Sequence, residues 1–584
     1  MYKKYILPSI RFLSRKLGYT FINITGLSVG IAISVMLFIY VFDELTYDSF
    51  QEHKKQIYLV GRDGSRDGEH YTTGSTSPPA ADALVQNFPE IETTCRVMLW
   101  YSNGRYMKYN NELVPNLKFI GADSTFFDVF TTEFIHGNPK TALTDPKTVV
   151  ITESTVEKFF ETDNPIGEVI ATLAGTEYTI TGVVKDYPKN SHIQFDIIFS
   201  STTINDYADP RNWFNHNSYT YIKLKENTDA KELEAKFPGF LRETLGPLLE
   251  MAIGKTYDEV FSNGDYYNFF LEPLHKIHLG TLIDNNNEGK KSFVYILALV
   301  AALVLILASI NYVNLATAMA STRQLEIGVK KTFGVQKNQL RRQFVGESIL
   351  ISFVSMSFCM LIVEFLLPYF NNILNKSYEV DYFSNSYIIP GLILFSVIIG
   401  FISGIYPGYV MSSYDAVSIL GGKVGISSKN RKNRFRNILV ILQFAICTGI
   451  MIFTITINRQ IKFILNHNLG IDKEQILVLH MIDGLGDNRQ IFKEELLKDP
   501  DIKSLSFASS TPFRHLDESG HHVVGRPMTE APYFHTFWAD YDIVETLNIE
   551  IVQGRKLSDE RSEDKNGVLI NQAALDQLNT ENPL

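Results

Sequence analysis

The sequence predicts a polytopic α-helical membrane protein carrying α+β extracytoplasmic domains. Three observations predict it: five long apolar runs almost free of charge, flanks that alternate between basic and acidic from one run to the next, and β-branched segments in the stretch between the first two runs. With 45% hydrophobic and 20% charged residues among 584, the average composition is that of a soluble protein, so the clumping of the apolar residues carries the information.

A bilayer core needs roughly 20 apolar residues as a helix. The runs place transmembrane helices at 20–42, 292–317, 348–370, 387–411 and 436–458. Soluble cores rarely contain five such runs, which sets aside buried core helices. The first run is too long for a signal-peptide core and no A-x-A site follows it, so it is expected to stay as an anchor. Basic residues fix the orientation. Lys3, Lys4, Arg11, Arg15 and Lys16 precede span 1; Arg323, Lys330, Lys331, Lys337, Arg341 and Arg342 separate spans 2 and 3; Lys423, Lys429, Arg431, Lys432, Arg434 and Arg436 separate spans 4 and 5. An amphipathic N-terminus (1–19), a loop (318–347) and a linker (412–435) are therefore expected in the cytoplasm, with 43–291 and 459–584 outside it. Glu364, near the outer end of span 3, is an intramembrane acid and so a functional candidate, although at the interface it can simply reach water, the reading favoured.

In the first outer domain, TVVITES (148–154) and YTITGVVKD (178–186) read as strands. The segment 154–161 reads as a short helix with Ser154 as its N-cap. The sequence then repeats. DSTFFDVFTTEFIHG (123–137) aligns without a gap with DYDIVETLNIEIVQG (540–554), pairing Asp123 with Asp540 and Gly137 with Gly554. VVITESTVEKF (149–159) aligns with VLINQAALDQL (568–578), and DNPI (163–166) with ENPL (581–584). One unit, a span followed by an outer domain and three more spans, is thus used twice. The second repeat is expected to be truncated, as in a fragment of a protein of roughly 840 residues.

Several classes are excluded. A net charge of -10 speaks against nucleic-acid binding. Cys95, Cys359 and Cys447 lie far apart without a CxxC, so neither a disulfide framework nor a cysteine zinc site is expected. His515, Asp517, Glu518, His521 and His522 cluster without a known ligand spacing and read as a solvated loop, not a metal site. Gly254-Lys255-Thr256 has Leu249 where a P-loop needs its first glycine. Asp43 and Glu44 are adjacent on a helix and so do not share a face. Asn311 and Asn314 suit hydrogen bonding between helices. No catalytic set emerges.

The 318–347 loop has its own physical reading. Leu325, Val329 and Phe333 recur at i, i+4 and i+8 as an apolar stripe, and Gly334 suits the position just past a helix end. Lys330, Lys331, Lys337, Arg341 and Arg342 surround the stripe with positive charge. Such a helix can lie on anionic lipid headgroups or dock in a protein groove.

The stretch SINYVNLATAMASTRQLEIGVKKTFGVQKNQLRRQFVGES (309–348) resembles the MacB/FtsX-type permeases of ABC transporters. The resemblance rests on Asn311, Asn314, Leu315, Glu326, Ile327, Gly328, Lys330, Lys331, Gly334, Gln339, Leu340 and Glu347. DELTYDSFQEHKKQIYLV (43–60), VITESTVEKFF, NPIGE and ITGVVKDYPKNSH (180–192) resemble the MacB-type periplasmic core domain. The resemblance implies a protein of the bacterial inner membrane with periplasmic outer domains. It implies that Leu325 and the loop members of this set, from Glu326 to Glu347, dock on a cytoplasmic ABC ATPase, and that span 2 extends as a stalk. ATP–Mg would sit on that partner, and this chain would bind no cofactor. Membrane lipid, a periplasmic adaptor and an outer-membrane channel are the other implied partners. Because family members with one unit work as dimers, two fused units imply two ATPase copies per full-length chain. Export of a substrate, FtsX-like regulation of an envelope enzyme, and a membrane-anchored sensor remain the alternatives. Two departures stand out. Lys330 occupies a position where the family often has Arg, and Val335-Gln336 leave the following helix without an expected side-chain cap.

Overall fold

A computed structural model describes residues 14–66, 69–110, 112–173, 175–203, 212–262, 264–283, 290–380, 382, 387–413, 426–467, 470–471, 473–479, 482–511, 517–521, 523–525 and 532–578. Five helices in it are long and apolar enough to cross a membrane. They are span 1 (Leu17–Leu45), span 2 (Lys290–Met319), span 3 (Lys337–Leu374), span 4 (Ile388–Ser412) and span 5 (Ile426–Asn466).

Small residues let the spans approach closely, as expected where lipid removes the hydrophobic drive between helices. A Cβ on Gly30 of span 1 would stand 2.4 Å from the Ala308 methyl of span 2. Gly400 and Gly404 of span 4 meet Ile349 and Ser348 of span 3 in the same way. Serines bond across these contacts. Ser34 donates to the Ala301 carbonyl at 2.9 Å, Ser28 to Ser355 at 3.0 Å and Ser352 to Ser396 at 2.9 Å. Leu27, Ile31, Met36, Met356, Val363 and Ile399 fill the space between spans 1, 3 and 4. The large apolar side chains of span 5 face outward, as a lipid-facing helix requires.

The first outer domain is built on a mixed sheet of twelve strands: β1 (Ile57–Arg66), β2 (Glu69–Thr73), β3 (Ser75–Thr76), β4 (Ile91–Tyr109), β5 (Glu112–Ala122), β6 (Phe134–Gly137), β7 (Thr148–Thr152), β8 (Val169–Thr172), β9 (Glu177–Val184), β10 (Ile197–Ser200), β11 (Ser218–Leu224) and β12 (Tyr266–Pro273). The order runs β12-β1-β11-β4-β5-β10-β7-β9-β6, with β2 on β1, β3 on β11 and β8 against β4 and β9. β10 runs parallel to β5, and β7 parallel to β9. Every residue of β7 is buried. Val150 faces the core of Phe126, Phe130 and Tyr221, while Val149 and Ile151 face that of Phe119, Ile180 and Phe199. Burial on both faces explains why the segment reads as an unbroken apolar run.

The helix after β7 runs Glu153–Phe159 with Thr152 as its N-cap residue. Ser154 is therefore inside the first turn, not at the cap, and its hydroxyl donates to Asp186 at 2.8 Å. Gly254, with φ 68°, ends the helix Phe237–Ile253, and Thr256 opens the next with its backbone N–H bonded to Glu259. The Gly-Lys-Thr run is thus a helix-to-helix corner.

The repeat recurs in backbone geometry. The short helices Phe126–Val129 and Ile543–Thr546 occupy matching positions. Gly137 and Gly554 both take positive φ, 97° and 84°. Within 459–584, β13 (Asp517–Gly520) pairs with β14 (Tyr533–Thr536). His515 and His522 lie outside the described residues, while His521 Nε2 stands 3.1 Å from the Thr536 hydroxyl.

Candidate functional site

The segment between spans 2 and 3 folds as a 3-10 turn (Ala320–Arg323), a two-turn helix (Gln324–Thr332) and a sharp corner into span 3. The corner is set by Gly334 at φ 86°. Its N–H bonds to the Lys331 carbonyl, and the Val335 N–H reaches back to Lys330. This is the paired bonding of a glycine helix stop, which satisfies carbonyls that a helix end leaves open. Span 3 then begins capped, against the sequence expectation. Gln336 is its N-cap residue, and the Gln339 side chain accepts from the Gln336 backbone N–H at 3.1 Å. The cap comes from the third helical position, so inspection of Val335-Gln336 alone misses it.

The helix has two unlike faces. Leu325, Val329 and Phe333 point outward, with Leu325 68% and Phe333 85% exposed. On the other face Ile327 packs with Leu340, Phe344 and Met411, joining the helix to spans 3 and 4. Gly328 is buried beside Ile327. Gln339 and Gly334 are exposed, and Lys330 and Lys331 are half-buried. Of the residues that carry the resemblance, Ile327, Gly328, Leu340 and Glu347 are thus buried and anchor the helix from within, while the outward stripe of Leu325, Val329 and Phe333 lies outside that set.

Ionic contacts fix the helix to its neighbours. Arg323 is buried and donates two bonds from one guanidinium nitrogen to Glu347, at 2.9 and 3.0 Å. The guanidinium also lies over the Phe344 ring at 4.9 Å. Lys330 donates to Glu326 at 2.7 Å, and Arg323 approaches the same carboxylate at 3.4 Å. Burial pushes the Glu326 carboxyl up, but these two cations outweigh it and hold the group below the usual carboxylate range. Lys331 donates to the Ser412 carbonyl at 2.8 Å, and Arg341 to the Ser412 hydroxyl at 3.1 Å. In the sequence Arg323 reads only as a positive charge; the one local signal of its pairing with Glu347 is a lone acid at the mouth of an apolar span.

The Asn pair separates. Asn314 donates to Gln443 of span 5 at 3.1 Å, a bond between helices. Asn311 instead packs beside Gly26 of span 1, where a Cβ would stand 3.3 Å from its amide nitrogen.

Two family patterns match this chain: a MacB-like periplasmic core domain over residues 20–239, and an FtsX-like permease C-terminal domain over 298–416. The second includes the whole of the helix and corner just described. Among curated proteins, the chain is 21% identical over 359 residues to an export ATP-binding/permease protein of Pseudomonas fluorescens, covering 59% of this chain and 50% of that one. It is 25% identical over 124 residues to the macrolide export ATP-binding/permease protein MacB of Bdellovibrio bacteriovorus, covering 21% and 18%. The matched region thus spans half or less of either relative. Among solved structures, the periplasmic region of MacB from Actinobacillus actinomycetemcomitans is 14% identical, with a TM-score of 0.25, over 38% of this chain and 91% of that one.

Proposed function

Since this chain belongs to the MacB/FtsX-type permeases of ABC transporters, we propose that it couples the cycle of a separate cytoplasmic ATPase to movement of its outer domains, and that this movement drives export of a substrate. The observation that carries the reading is the outward apolar stripe of Leu325, Val329 and Phe333 on a helix clamped from behind to spans 3 and 4. A helix free to slide would absorb a push; a helix held by Ile327, Arg323 and Lys331 passes it on. In this reading the stripe enters a groove of the ATPase on the cytoplasmic side, with the N-terminus on the same side and the outer domains in the periplasm. ATP–Mg is bound and hydrolysed by the partner. The inward residues Glu347 and Leu340 keep the helix seated, and Lys330 holds Glu326 in place beside the stripe.

Capture of ABC ATPases by the detergent-solubilised chain tests this. Leu325→Asp and Phe333→Asp place charge on exposed positions and are expected to abolish capture while leaving the thermal midpoint unchanged. An ATPase held equally well by both variants, or by neither variant nor the parent chain, contradicts the reading.

A further inference from the structure

On the opposite side of the spans a second ionic cluster joins span 1, the outer domain and span 3. Glu44 is only 2% exposed at the end of span 1. His278, the residue that ends the short helix Leu274–Ile277 on the way back from the outer domain, meets its carboxylate at 2.8 Å, and Lys290 at the start of span 2 at 3.5 Å. Lys376, just past the end of span 3, reaches both neighbours in sequence: Asp43 at 2.9 Å and Glu44 at 3.1 Å. Two adjacent helical carboxylates, which point different ways along the helix, are thus bridged by one long side chain. Tyr378 donates to Asp43 at 3.0 Å, and the Tyr47 hydroxyl accepts from Lys376 at 3.1 Å while its ring stacks on His278 at 3.2 Å between centroids.

Both ends of this cluster are firmly held. The turn carrying Lys376 and Tyr378 is pinned to the last turn of span 3, because the Asn371 side chain both donates to the Tyr378 carbonyl at 2.9 Å and accepts from its N–H at 3.0 Å. On the other side, Asp48 enters the sheet domain. Its carboxylate accepts from the Ser191 hydroxyl at 2.9 Å and the His192 N–H at 3.1 Å, and its other oxygen lies 2.9 Å from the His192 ring. The His192 ring in turn contacts the Tyr221 hydroxyl at 2.9 Å in the centre of β11. Below the cluster, Tyr40, Val41 and Val294 pack with Phe370, Leu374 and Tyr378 as an apolar floor.

We propose that Lys376 and Tyr378, held by Asp43 and Glu44, form a joint through which span 3 acts directly on the outer domain. The route runs from the Gln324–Thr332 helix through Arg323–Glu347 into span 3, then from Lys376 through residues 43–48 into β11. It is a path that meets span 1 only at its last turn, and it rests on the permease reading above. Lys376 and Tyr378 are positioning residues. The competing role is a prop that only holds the outer domain upright, and nucleotide-dependent coupling separates the two.

The test uses the full chain in lipid nanodiscs with its co-purified ATPase. Hydrogen exchange of the outer domain is compared without nucleotide and with ATP plus vanadate, for the parent chain, Lys376→Met, Tyr378→Phe and Lys376→Arg. The joint predicts that the nucleotide-dependent difference around Asp48 and His192 shrinks by about fivefold in Lys376→Met, the low end of a coupling of measurable size. It shrinks less in Tyr378→Phe and persists in Lys376→Arg, whose guanidinium can still span both carboxylates. A prop predicts faster exchange in Lys376→Met with the nucleotide-dependent difference unchanged; that outcome overturns the joint and leaves the permease reading intact. A parent chain that captures no ATPase, or shows no nucleotide-dependent difference, overturns the permease reading and the joint with it.

Discussion

Asp123 and Asp540, 417 positions apart, hold the chain segment beside them by the same reciprocal pair of bonds. Asp123 accepts from the Arg96 backbone N–H and donates its own N–H to the Arg96 carbonyl. Asp540 does both with Phe507. What differs is the cation. Arg96 supplies it from the bonded residue itself, at 2.8 Å, whereas the second unit brings Lys493 from the helix Arg489–Leu496, also at 2.8 Å. A hydroxyl completes each site, Ser201 in the first and Ser506 in the second. The repeat thus preserves a bonding scheme while its charged partner moves.

Asp123→Ala takes the nearer carboxylate from a mostly buried Arg96, which keeps Asp82 at 3.3 Å and the Pro78 carbonyl at 3.2 Å, and should cost about 3 kcal/mol. Asp540 is more exposed, so Asp540→Ala should cost about half as much. Amide exchange at Arg96 and at Phe507 checks both. Equal protection in the variants would show that the matched geometry carries no energy.

The Arg323–Glu347 pair is expected to be costly to break and cheap to replace. Glu347→Gln takes the nearer carboxylate from a buried guanidinium, leaving it Glu326 at 3.4 Å, and should cost about 3 kcal/mol, read as faster exchange across Gln324–Thr332 and a lower thermal midpoint. Arg323→Met with Glu347→Leu removes both charges and should recover most of that loss. A double variant as unstable as the single one would mean that the pair's geometry, not its charge balance, sets the cost.

Gly334→Ala tests the corner. A side chain at φ 86° is strained, although open space surrounds the position. The expected cost is about 1 kcal/mol, with fraying at the Thr332 end of the helix. Gly346→Ala, inside span 3 and equally uncrowded, should be neutral or stabilising. Equal behaviour of the two variants would remove the backbone argument.

His216 gives the outer domain a dependence on pH. Burial, and after it the nearby Arg62, depress its pKa from 6.5 to about 3. As pH falls through 6.5 the unfolded chain takes up a proton that the folded domain refuses until near pH 3. Stability is therefore lost on acidification across that window, with a slope of up to about 1.4 kcal/mol per pH unit, and no further loss comes from this group below it. Denaturant midpoints of the chain between pH 4 and pH 7 should fall more steeply than those of His216→Gln. Parallel curves would assign the acid sensitivity to other groups.

The spans and the central strands were legible because their signals are local. A charge-free run of twenty residues and a buried run such as Thr148–Thr152 each declare themselves within their own length. The division of the 318–347 loop was not legible. Leu340 looked as available as Leu325, yet it is fully buried against Ile327, Phe344 and Met411, the last of these on span 4. Nothing in the local period of the loop announces a partner that distant. Asp43 and Glu44 point apart on the helix taken alone; Lys376, beyond span 3, reaches round to both. The same limit hid Arg323–Glu347. Periodicity tells which face is apolar, while long side chains arriving from other elements decide which polar groups meet.

The most direct measurement places a photo-crosslinking amino acid at position 333, and separately at position 340, in the full chain in living cells. Phe333 is the most exposed residue of the stripe and Leu340 the most buried of its neighbours. Docking of the stripe predicts crosslinks from 333 to an ABC ATPase, and from 340 only within the chain. Crosslinks from 333 to lipid alone would make the stripe a membrane-surface face and contradict docking.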